Sequence, residues 1–269
     1  MKKLITGILL VVMMLSLAAC GGDTADDDSS NTGAVYHVGV CQLVEHDALD
    51  AATEGFVDAL EEKLGDAVEI EVQLAQGEPN NCTTIINNFV AGNVDLIMAN
   101  ATPALQAAVS GTDTIPILGT SVTEYGVALG IDNFNGTVGG NVSGTSDLAP
   151  LDGQAAMIQE LFPEAKKVGL LYCSAEANSQ YQIDVVTEEL TKLGYECTPY
   201  SFSDSNDLAT VATSAAENSD VIYVPTDNKC ADNTGIIDNV CRPAKVPVVA
   251  GEEGIASGCG VATLSISYY

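Results

Sequence analysis

Two parts of the sequence repeat the same order of strand-like runs and amphipathic segments, displaced by about 130 residues. The run at 36–41 precedes a helical pattern at 47–65, and the run at 166–173 precedes a helical pattern at 176–194. In both parts another strand-like run, a second helical pattern and a further apolar run follow in the same order. Alternating strands and helices predict βα units on a parallel sheet. Their repetition predicts two similar lobes.

The repeated stretches also align residue by residue. VDLIMANAT aligns with SDVIYVPTD, which places Thr102 opposite Asp227, and TIPILGTS aligns with KVPVVAGEE, which places Ser121 opposite Glu252. We therefore predict an α/β fold with two Rossmann-like lobes joined by a hinge, each a three-layer αβα arrangement on a parallel sheet. The predicted limits are 35–145 for lobe one, 146–250 for lobe two and 251–269 for a hinge or return segment. One doubly wound domain with a blurred repeat is the alternative.

The residues just after the repeated strands are the candidates for function, because open parallel sheets bind ligands beyond the carboxyl ends of their strands. Lobe one offers hydroxyls there, on Thr102 and Ser121, and Pro103 favours a helix start whose backbone N–H groups hold an anion. Lobe two offers acids at the matching places, Asp227 and Glu252. A ligand with a carboxylate and an ammonium group satisfies both sets. The pattern predicts a cleft for a free amino acid, and the chain has no phosphate-binding GxxxxGK[ST] motif.

Each of the acids also has a purely structural interpretation. Asp147 ends the Gly-rich stretch at 133–147, where we expect the first crossing between the lobes, and it could instead cap the helix predicted to follow. Asp227 could likewise cap a helix that begins near residue 229, and hinge geometry alone could explain Glu252. These alternatives remain open at the level of sequence.

The first 34 residues have the pattern of a leader and a tether. Lys2 and Lys3 precede about a dozen apolar residues, the size of a signal-peptide core, which predicts a signal peptide over residues 1–19. The stretch LAAC that ends at Cys20 resembles the bacterial lipobox, which implies lipidation of Cys20 and anchoring to the cell membrane. Residues 20–34 are acidic and have no large apolar side chain, so they predict a disordered tether. A plain signal peptide with an incidental cysteine is the alternative.

Charge and residue content argue against several classes of protein. A net charge of −28 leaves no basic surface for nucleic acid. Two histidines leave little material for a metal site or a His-based triad, and we expect no metal, no cofactor and no catalysis. Seven of the eight cysteines remain once Cys20 is assigned to lipid. We expect them to be buried thiols, with a Cys230–Cys241 disulfide as an open alternative.

Seven stretches spread over nearly the whole chain carry a resemblance to a known family. They are QLVEHDALDAATEGF, NATPALQA, PILGTSVT, VSGTSDLAP, LLYCSAEANSQ, VPTDN and VPVVAGEEG. With them the chain resembles the lipoprotein substrate-binding subunits of bacterial ABC transporters, within the family that includes tryptophan- and tyrosine-binding proteins. The resemblance implies the type I periplasmic-binding-protein fold and lobes that close around a small ligand. Together with the repeat, which alone adds Glu252, it gives the candidate ligand-binding residues Gln42, Thr102, Ser121, Asp147, Asn178, Ser179, Asp227 and Glu252.

The resemblance also sets the expected role. We expect a monomeric, extracytoplasmic, lipid-anchored component of an ABC importer that binds an amino acid, with an aromatic one implied by the resemblance alone, and delivers it to the permease. A ligand-sensing subunit for a membrane receptor kinase is the alternative. A hydrolase is disfavoured because the chain has no G-x-S-x-G motif. Members of this family continue past VATLSISYY, so we expect the chain that ends at Tyr269 to be a fragment without a complete hinge.

Overall fold

A computed structural model describes residues 35–269. The predicted signal peptide, Cys20 and the acidic tether lie outside the described residues. Within residues 35–269 no helix has both the length and the apolar character needed to cross a membrane.

The first half of the described chain forms a sheet of five parallel strands in the order β2-β1-β3-β4-β5. The strands are β1 Tyr36–Gln42, β2 Val68–Leu74, β3 Leu96–Asn100, β4 Ile117–Val122 and β5 Val142–Ser146. The helices that accompany them are α1 Asp47–Leu64, α2 Pro79–Gly92, α3 Thr102–Gly111 and α4 Tyr125–Leu129. We call this sheet and these helices lobe one.

The second half forms another five-stranded parallel sheet, in the order β10-β9-β8-β6-β7. Its strands are β6 Lys167–Cys173, β7 Glu196–Phe202, β8 Val221–Val224, β9 Val248–Ala250 and β10 Ala262–Thr263. Its helices are α5 Leu151–Leu161, α6 Ala177–Lys192, α7 Ser205–Asn218, α8 Asn228–Ala231, α9 Thr234–Ala244 and α10 Glu253–Cys259. We call this sheet and these helices lobe two.

The two sheets have the same topology, because β6 to β10 occupy in lobe two the places that β1 to β5 occupy in lobe one. The predicted α/β fold with two parallel-sheet lobes is confirmed. The alternative of one doubly wound domain is wrong, since the strands form two separate sheets. The residue limits predicted for the lobes stay a prediction.

A glycine at the same position in the first strand of each lobe shows why the two sequences share a pattern. A Cβ on Gly39 would lie 2.6 Å from the ring of Phe89, which packs against β1 from α2. A Cβ on Gly169 in β6 would overlap the side chain of Ser219, just before β8. Both glycines therefore allow a neighbouring element to approach the sheet more closely than any larger residue would.

The cysteines are free thiols throughout the described part of the chain, and all of them are buried except Cys197, which is half-buried. The expectation of buried thiols is confirmed for those six. The alternative of a Cys230–Cys241 disulfide is wrong in this structure. Both thiols instead pack among buried apolar side chains between the sheet and the helices of lobe two.

Residues 264–269 leave β10 and run back against lobe one. The Gln154 side chain of α5 donates to Leu264 O at 2.8 Å. The Tyr268 hydroxyl donates to Asp147, and the Tyr269 hydroxyl donates to Asp58 of α1. This C-terminal segment is therefore a second connection between the lobes, beside the residues that join β5 to α5.

Candidate ligand-binding cleft

Two hydroxyls of lobe one lie side by side where neighbouring strands end. Thr102 begins α3 directly after β3, and Ser121 lies at the end of β4. The two turns are adjacent, because the backbone N–H of Ala101 donates to Thr120 O at 3.0 Å. Both side chains are buried, and neither hydroxyl has a hydrogen-bond partner among the described residues. Buried polar groups nearly always have a partner, so this pair points to recognition of a polar molecule.

The backbone at the same two turns is strained. Ala101 has φ 92° and Ser121 has φ 54°, which is the left-handed region that residues other than glycine seldom occupy. Such strain concentrates where a structure presents backbone and side chains to a ligand. Ala101 is also the N-cap of α3 and has no side chain that could accept from the first N–H groups of the helix. The first N–H groups of α3, next to the Thr102 hydroxyl, therefore have no side-chain cap.

Asp147 is a buried carboxylate with one free oxygen. Its Oδ2 accepts from the Tyr268 hydroxyl at 2.8 Å, whereas Oδ1 has no partner among the described residues. The side chain is 5% exposed and forms no ion pair within the described part of the chain. Burial raises the pKa of Asp147, and the hydroxyls of Tyr268 and Thr123 oppose that rise. A buried carboxylate without a cation is suited to a ligand that brings one.

The capping alternative for Asp147 is wrong. Helix α5 begins at Leu151 with Pro150 as its N-cap, and no side chain caps it. The carboxylate of Asp147 is therefore not used to hold the start of that helix, which leaves Oδ1 for another partner.

Asn178 and Ser179 lie in the first turn of α6, both buried. The Asn178 amide nitrogen donates to Glu176 Oε2 at 3.2 Å and to Thr226 O at 3.3 Å. Two acceptors fix the orientation of the amide, and its Oδ1 is left without a partner among the described residues. Ser179 Oγ is 3.4 Å from the same amide nitrogen. Lobe two thus presents a fixed hydrogen-bond acceptor.

Asp227 and Glu252, by contrast, are satisfied inside lobe two. Asp227 caps α8 by accepting from Cys230 N at 2.8 Å, and its other oxygen accepts from Cys173 N at 2.7 Å. Glu252 caps α10 by accepting from the N–H groups of Gly254 and Ile255. These are the structural interpretations that the sequence left open. A ligand contact for either acid stays a prediction.

Gln42 is also satisfied within its own lobe. Its amide nitrogen donates to Val44 O at 2.9 Å and to Asp50 Oδ1 at 2.6 Å, and its Oε1 accepts from the Thr53 hydroxyl at 2.6 Å. These bonds tie the end of β1 to α1. A ligand contact for Gln42 stays a prediction.

Two polar residues of the cleft were missed by the sequence analysis. Glu176 is buried just before α6 and accepts from Asn228 Nδ2 at 2.6 Å and from Lys229 N at 3.0 Å. Burial, with Asp227 nearby, raises the pKa of Glu176 to about 7. The second is Tyr268, which has a neighbour in each lobe: Asp147 and the side chain of Thr226. Neither residue stood at a position that the repeat marked.

Three contacts connect the two lobes near the carboxyl ends of their strands. Tyr268 links Asp147 to Thr226, whose carbonyl holds the Asn178 amide. On one flank Lys229 Nζ donates to Gly77 O at 2.9 Å, and nearby the ring of His46 is 3.2 Å from Asn228 Oδ1. Tyr268 and Thr226 therefore form a chain of contacts from Asp147, at the edge of lobe one, to Asn178 of lobe two.

Comparison with known families gives one match over most of the chain. A family model described as ABC transporter substrate binding protein matches residues 37–269. A tyrosine-binding protein of Clostridioides difficile (strain R20291) is 36% identical over 273 residues, which covers 100% of this chain and 79% of the relative.

Solved structures are similar over the same region. The ABC domain in complex with L-Trp from Streptococcus pneumonia is 29% identical with a TM-score of 0.84, over 87% of this chain and 80% of that one. The ligand-free, open structure of a substrate binding protein with adhesive properties from Clostridium difficile is 36% identical with a TM-score of 0.60, over 84% and 77%. A leucine binding protein from Thermotoga maritima, 19% identical with a TM-score of 0.63 over 84% and 67%, shares the fold. The predicted type I periplasmic-binding-protein fold is confirmed.

Proposed function

The chain belongs to the family of ABC transporter substrate binding proteins, and from this premise we propose that it binds a free amino acid between its lobes and delivers it to a membrane permease. The observation that carries the proposal is the set of buried, unpartnered polar atoms on both sides of the cleft. They are Thr102 Oγ1, Ser121 Oγ, Asp147 Oδ1 and Asn178 Oδ1.

The chemistry of these atoms matches a zwitterion. The ligand carboxylate accepts from the hydroxyls of Thr102 and Ser121 and from the first N–H groups of α3, which carry no side-chain cap. The ligand ammonium group donates to Asp147 Oδ1, the free oxygen of a buried carboxylate. Hydrogen bonds to charged groups in a buried site are among the strongest available to a protein. Asn178 Oδ1 accepts from a further donor of the ligand.

An aromatic amino acid is the ligand class that we propose. The support comes from the relatives, one named for tyrosine binding and one solved with L-Trp. The lobe arrangement is also more similar to the structure that holds L-Trp (TM-score 0.84) than to the open, ligand-free structure (0.60), although the latter is more identical in sequence. This supports a lobe arrangement of the ligand-bound, closed type, which a ligand that contacts both lobes would favour.

We also propose that the protein works outside the cytoplasmic membrane, anchored through lipid on Cys20. The apolar core of residues 1–19 and the lipobox-like LAAC support the anchor. Residues 20–34, which are acidic and contain no large apolar side chain, are the proposed tether between this anchor and the lobes.

A thermal-shift screen of the twenty amino acids, followed by isothermal titration, tests the proposal. At about 100 times its Kd, a ligand stabilises the folded protein by about 2.7 kcal/mol, which is a shift of several degrees in Tm. We expect L-tyrosine or L-tryptophan to produce such a shift, and Asp147→Asn to weaken binding about 100-fold. Asp58→Asn, an acid on the outer side of α1, is the matched control and should bind as the wild type does. A folded wild-type protein that responds to none of the twenty contradicts the proposal.

A further inference from the structure

The C-terminal segment brings Tyr268 from lobe two to the buried carboxylate of Asp147, whose Oδ1 has no partner among the described residues. We propose that Tyr268 is a positioning residue of the binding site, which holds Asp147 ionised and turned so that Oδ1 faces the ammonium group of the ligand. The inference rests on the proposed function and adds a residue that neither the repeat nor the family resemblance indicated.

Tyr268 restricts the geometry of the Asp147 carboxylate. A carboxylate has two oxygens, and the Tyr268 hydroxyl occupies Oδ2 of Asp147 at 2.8 Å. The backbone N–H of Asp147 donates to Val122 O at 3.2 Å, which fixes the residue at the edge of lobe one. With its backbone and one oxygen held, the carboxylate presents Oδ1 in a single direction. Such preorganisation reduces the entropy lost when the ligand binds.

Tyr268 also affects the charge of the Asp147 carboxylate. Burial disfavours the ionised form of Asp147, and a hydrogen bond donated to the carboxylate favours it. Tyr125 of α4 cannot help, because its hydroxyl is directed to the carbonyls of Gly119 and Thr145. The other titratable group near the contact is Glu252, which is an acid and a neighbour of Tyr268. No lysine, arginine or histidine of the described residues forms an ion pair with Asp147. The hydroxyls of Tyr268 and Thr123 are thus the donors that favour the ionised carboxylate, and Tyr268 is the one that comes from the C-terminal segment.

The contact between Tyr268 and Asp147 also joins the lobes. Asp147 follows β5 of lobe one, whereas Tyr268 follows β10 of lobe two and also lies beside Thr226 at the end of β8. The ammonium site is therefore complete only when the C-terminal segment crosses to lobe one. Opening of the lobes that displaces Tyr268 would weaken the site and release the ligand.

The chain provides a matched pair of variants for the test. Tyr268→Phe removes the hydroxyl that holds Asp147, and Tyr269→Phe removes the hydroxyl of the next residue, which donates to the outer Asp58. The probes are L-tryptophan, tryptamine, which has no carboxylate, and indole-3-propionate, which has no ammonium group. Affinity is measured by titration calorimetry between pH 5 and pH 9, and circular dichroism confirms the fold of each variant.

We expect Tyr268→Phe to weaken L-tryptophan and tryptamine about 10-fold at pH 7 and to leave indole-3-propionate unchanged. Affinity for the ammonium probes falls as the pH drops through the pKa of Asp147 in the free protein. Because the Tyr268 hydrogen bond lowers that pKa, its loss should move the fall to higher pH. Tyr269→Phe keeps the Tyr268–Asp147 contact, so it should leave the pH profile and the relative affinities of the three probes as in the wild type.

Three results would overturn the inference. If Tyr268→Phe keeps the wild-type affinity and pH profile while Asp147→Asn abolishes binding, the proposed function stands and the role of Tyr268 does not. If Tyr268→Phe weakens all three probes equally, the residue has only a structural role. If the effects of Tyr268→Phe and Asp147→Asn add in the double variant, the two residues do not act as a unit. A wild-type protein that binds no amino acid overturns the proposed function, and the inference fails with it.

Discussion

After β3 of lobe one, the N-cap residue of α3 is Ala101, whose side chain cannot cap the helix, whereas after β8 of lobe two Asp227 caps the first turn of α8. The difference recurs at the next strand. Ser121 of β4 has an unpartnered hydroxyl, whereas Glu252 after β9 caps α10. The same two places in a duplicated fold therefore carry polar groups without partners in lobe one and fully hydrogen-bonded acids in lobe two.

Polar residues that follow a strand thus have two different roles in the two lobes. A carboxylate that accepts from backbone N–H groups of its own lobe contributes mainly to the stability of that lobe. A buried hydroxyl with no partner lowers the stability of its lobe, and under the proposed function it gains a partner when the ligand binds. Under the proposed function, lobe one and Asp147 at the crossing would supply most of the ligand contacts, and the acids of lobe two would stabilise the opposing surface that carries Asn178.

The largest effect we expect is on the stability of lobe two. Asp227→Asn replaces one acceptor with an amide donor, so one of the N–H groups of Cys173 and Cys230 is left buried without an acceptor. We expect the free energy of unfolding to fall by about 3 kcal/mol, measured by urea denaturation without ligand. Asp232→Asn, on the exposed side of the same region, should cost little. If Asp227→Asn instead keeps the stability of the wild type and loses ligand affinity, Asp227 is a ligand contact, and the contrast drawn between the two lobes is wrong.

The second effect is on affinity in lobe one. Thr102→Val keeps the shape of the side chain and removes its buried, unpartnered hydroxyl. We expect ligand affinity to fall about 10- to 30-fold, because a hydrogen bond to the ligand carboxylate is lost. The stability of the free protein should stay the same or rise by up to about 1 kcal/mol, since no partner loses its hydrogen bond.

The control for this variant is Thr187→Val on α6, where the hydroxyl donates to Ile183 O within the helix. It should leave affinity unchanged. Titration calorimetry and urea denaturation of both variants separate the two quantities. A loss of stability in Thr102→Val without a loss of affinity would remove the distinction between the lobes.

The fold, and the positions of Thr102 and Ser121 at the carboxyl ends of their strands, were predictable from local sequence. The strand-helix order and its repetition predicted both sheets, and the helices predicted at 47–65 and 176–194 are observed as α1 and α6. Thr102 and Ser121 were predictable because a residue that follows a buried strand lies at the carboxyl edge of the sheet. These inferences need only short stretches of chain.

Which polar groups have hydrogen-bond partners and which do not was not predictable, because the partners lie far apart in the sequence. Asp227 is satisfied by an N–H group 54 residues away, and the Asp147 carboxylate meets Tyr268 over 121 residues. Glu176 precedes a helix and reads as an exposed acid, and only the packing of α8 against it makes it buried. A pattern within one short stretch of sequence cannot reveal contacts between residues that lie so far apart along the chain.

The smallest effect that we expect concerns the contact between the lobes at the flank of the cleft. Lys229 Nζ donates to Gly77 O at 2.9 Å and lies 3.6 Å from Glu78, and its side chain is 24% exposed. Lys229→Met removes this contact between α8 and the β2–α2 turn while it keeps the aliphatic stem. We expect a two- to five-fold faster release of ligand, because partly exposed ion pairs contribute little and binding differences within one interface lie mainly in koff. Stopped-flow measurement of ligand release at low and high salt checks this, and salt should reduce the difference between the variant and the wild type.

The control is Lys192→Met, which breaks an ion pair with Glu189 inside lobe two and should not change the rate of ligand release. Equal acceleration in both variants would show that lysine loss acts through net charge, and the contact with Gly77 would then have no part in holding the lobes together.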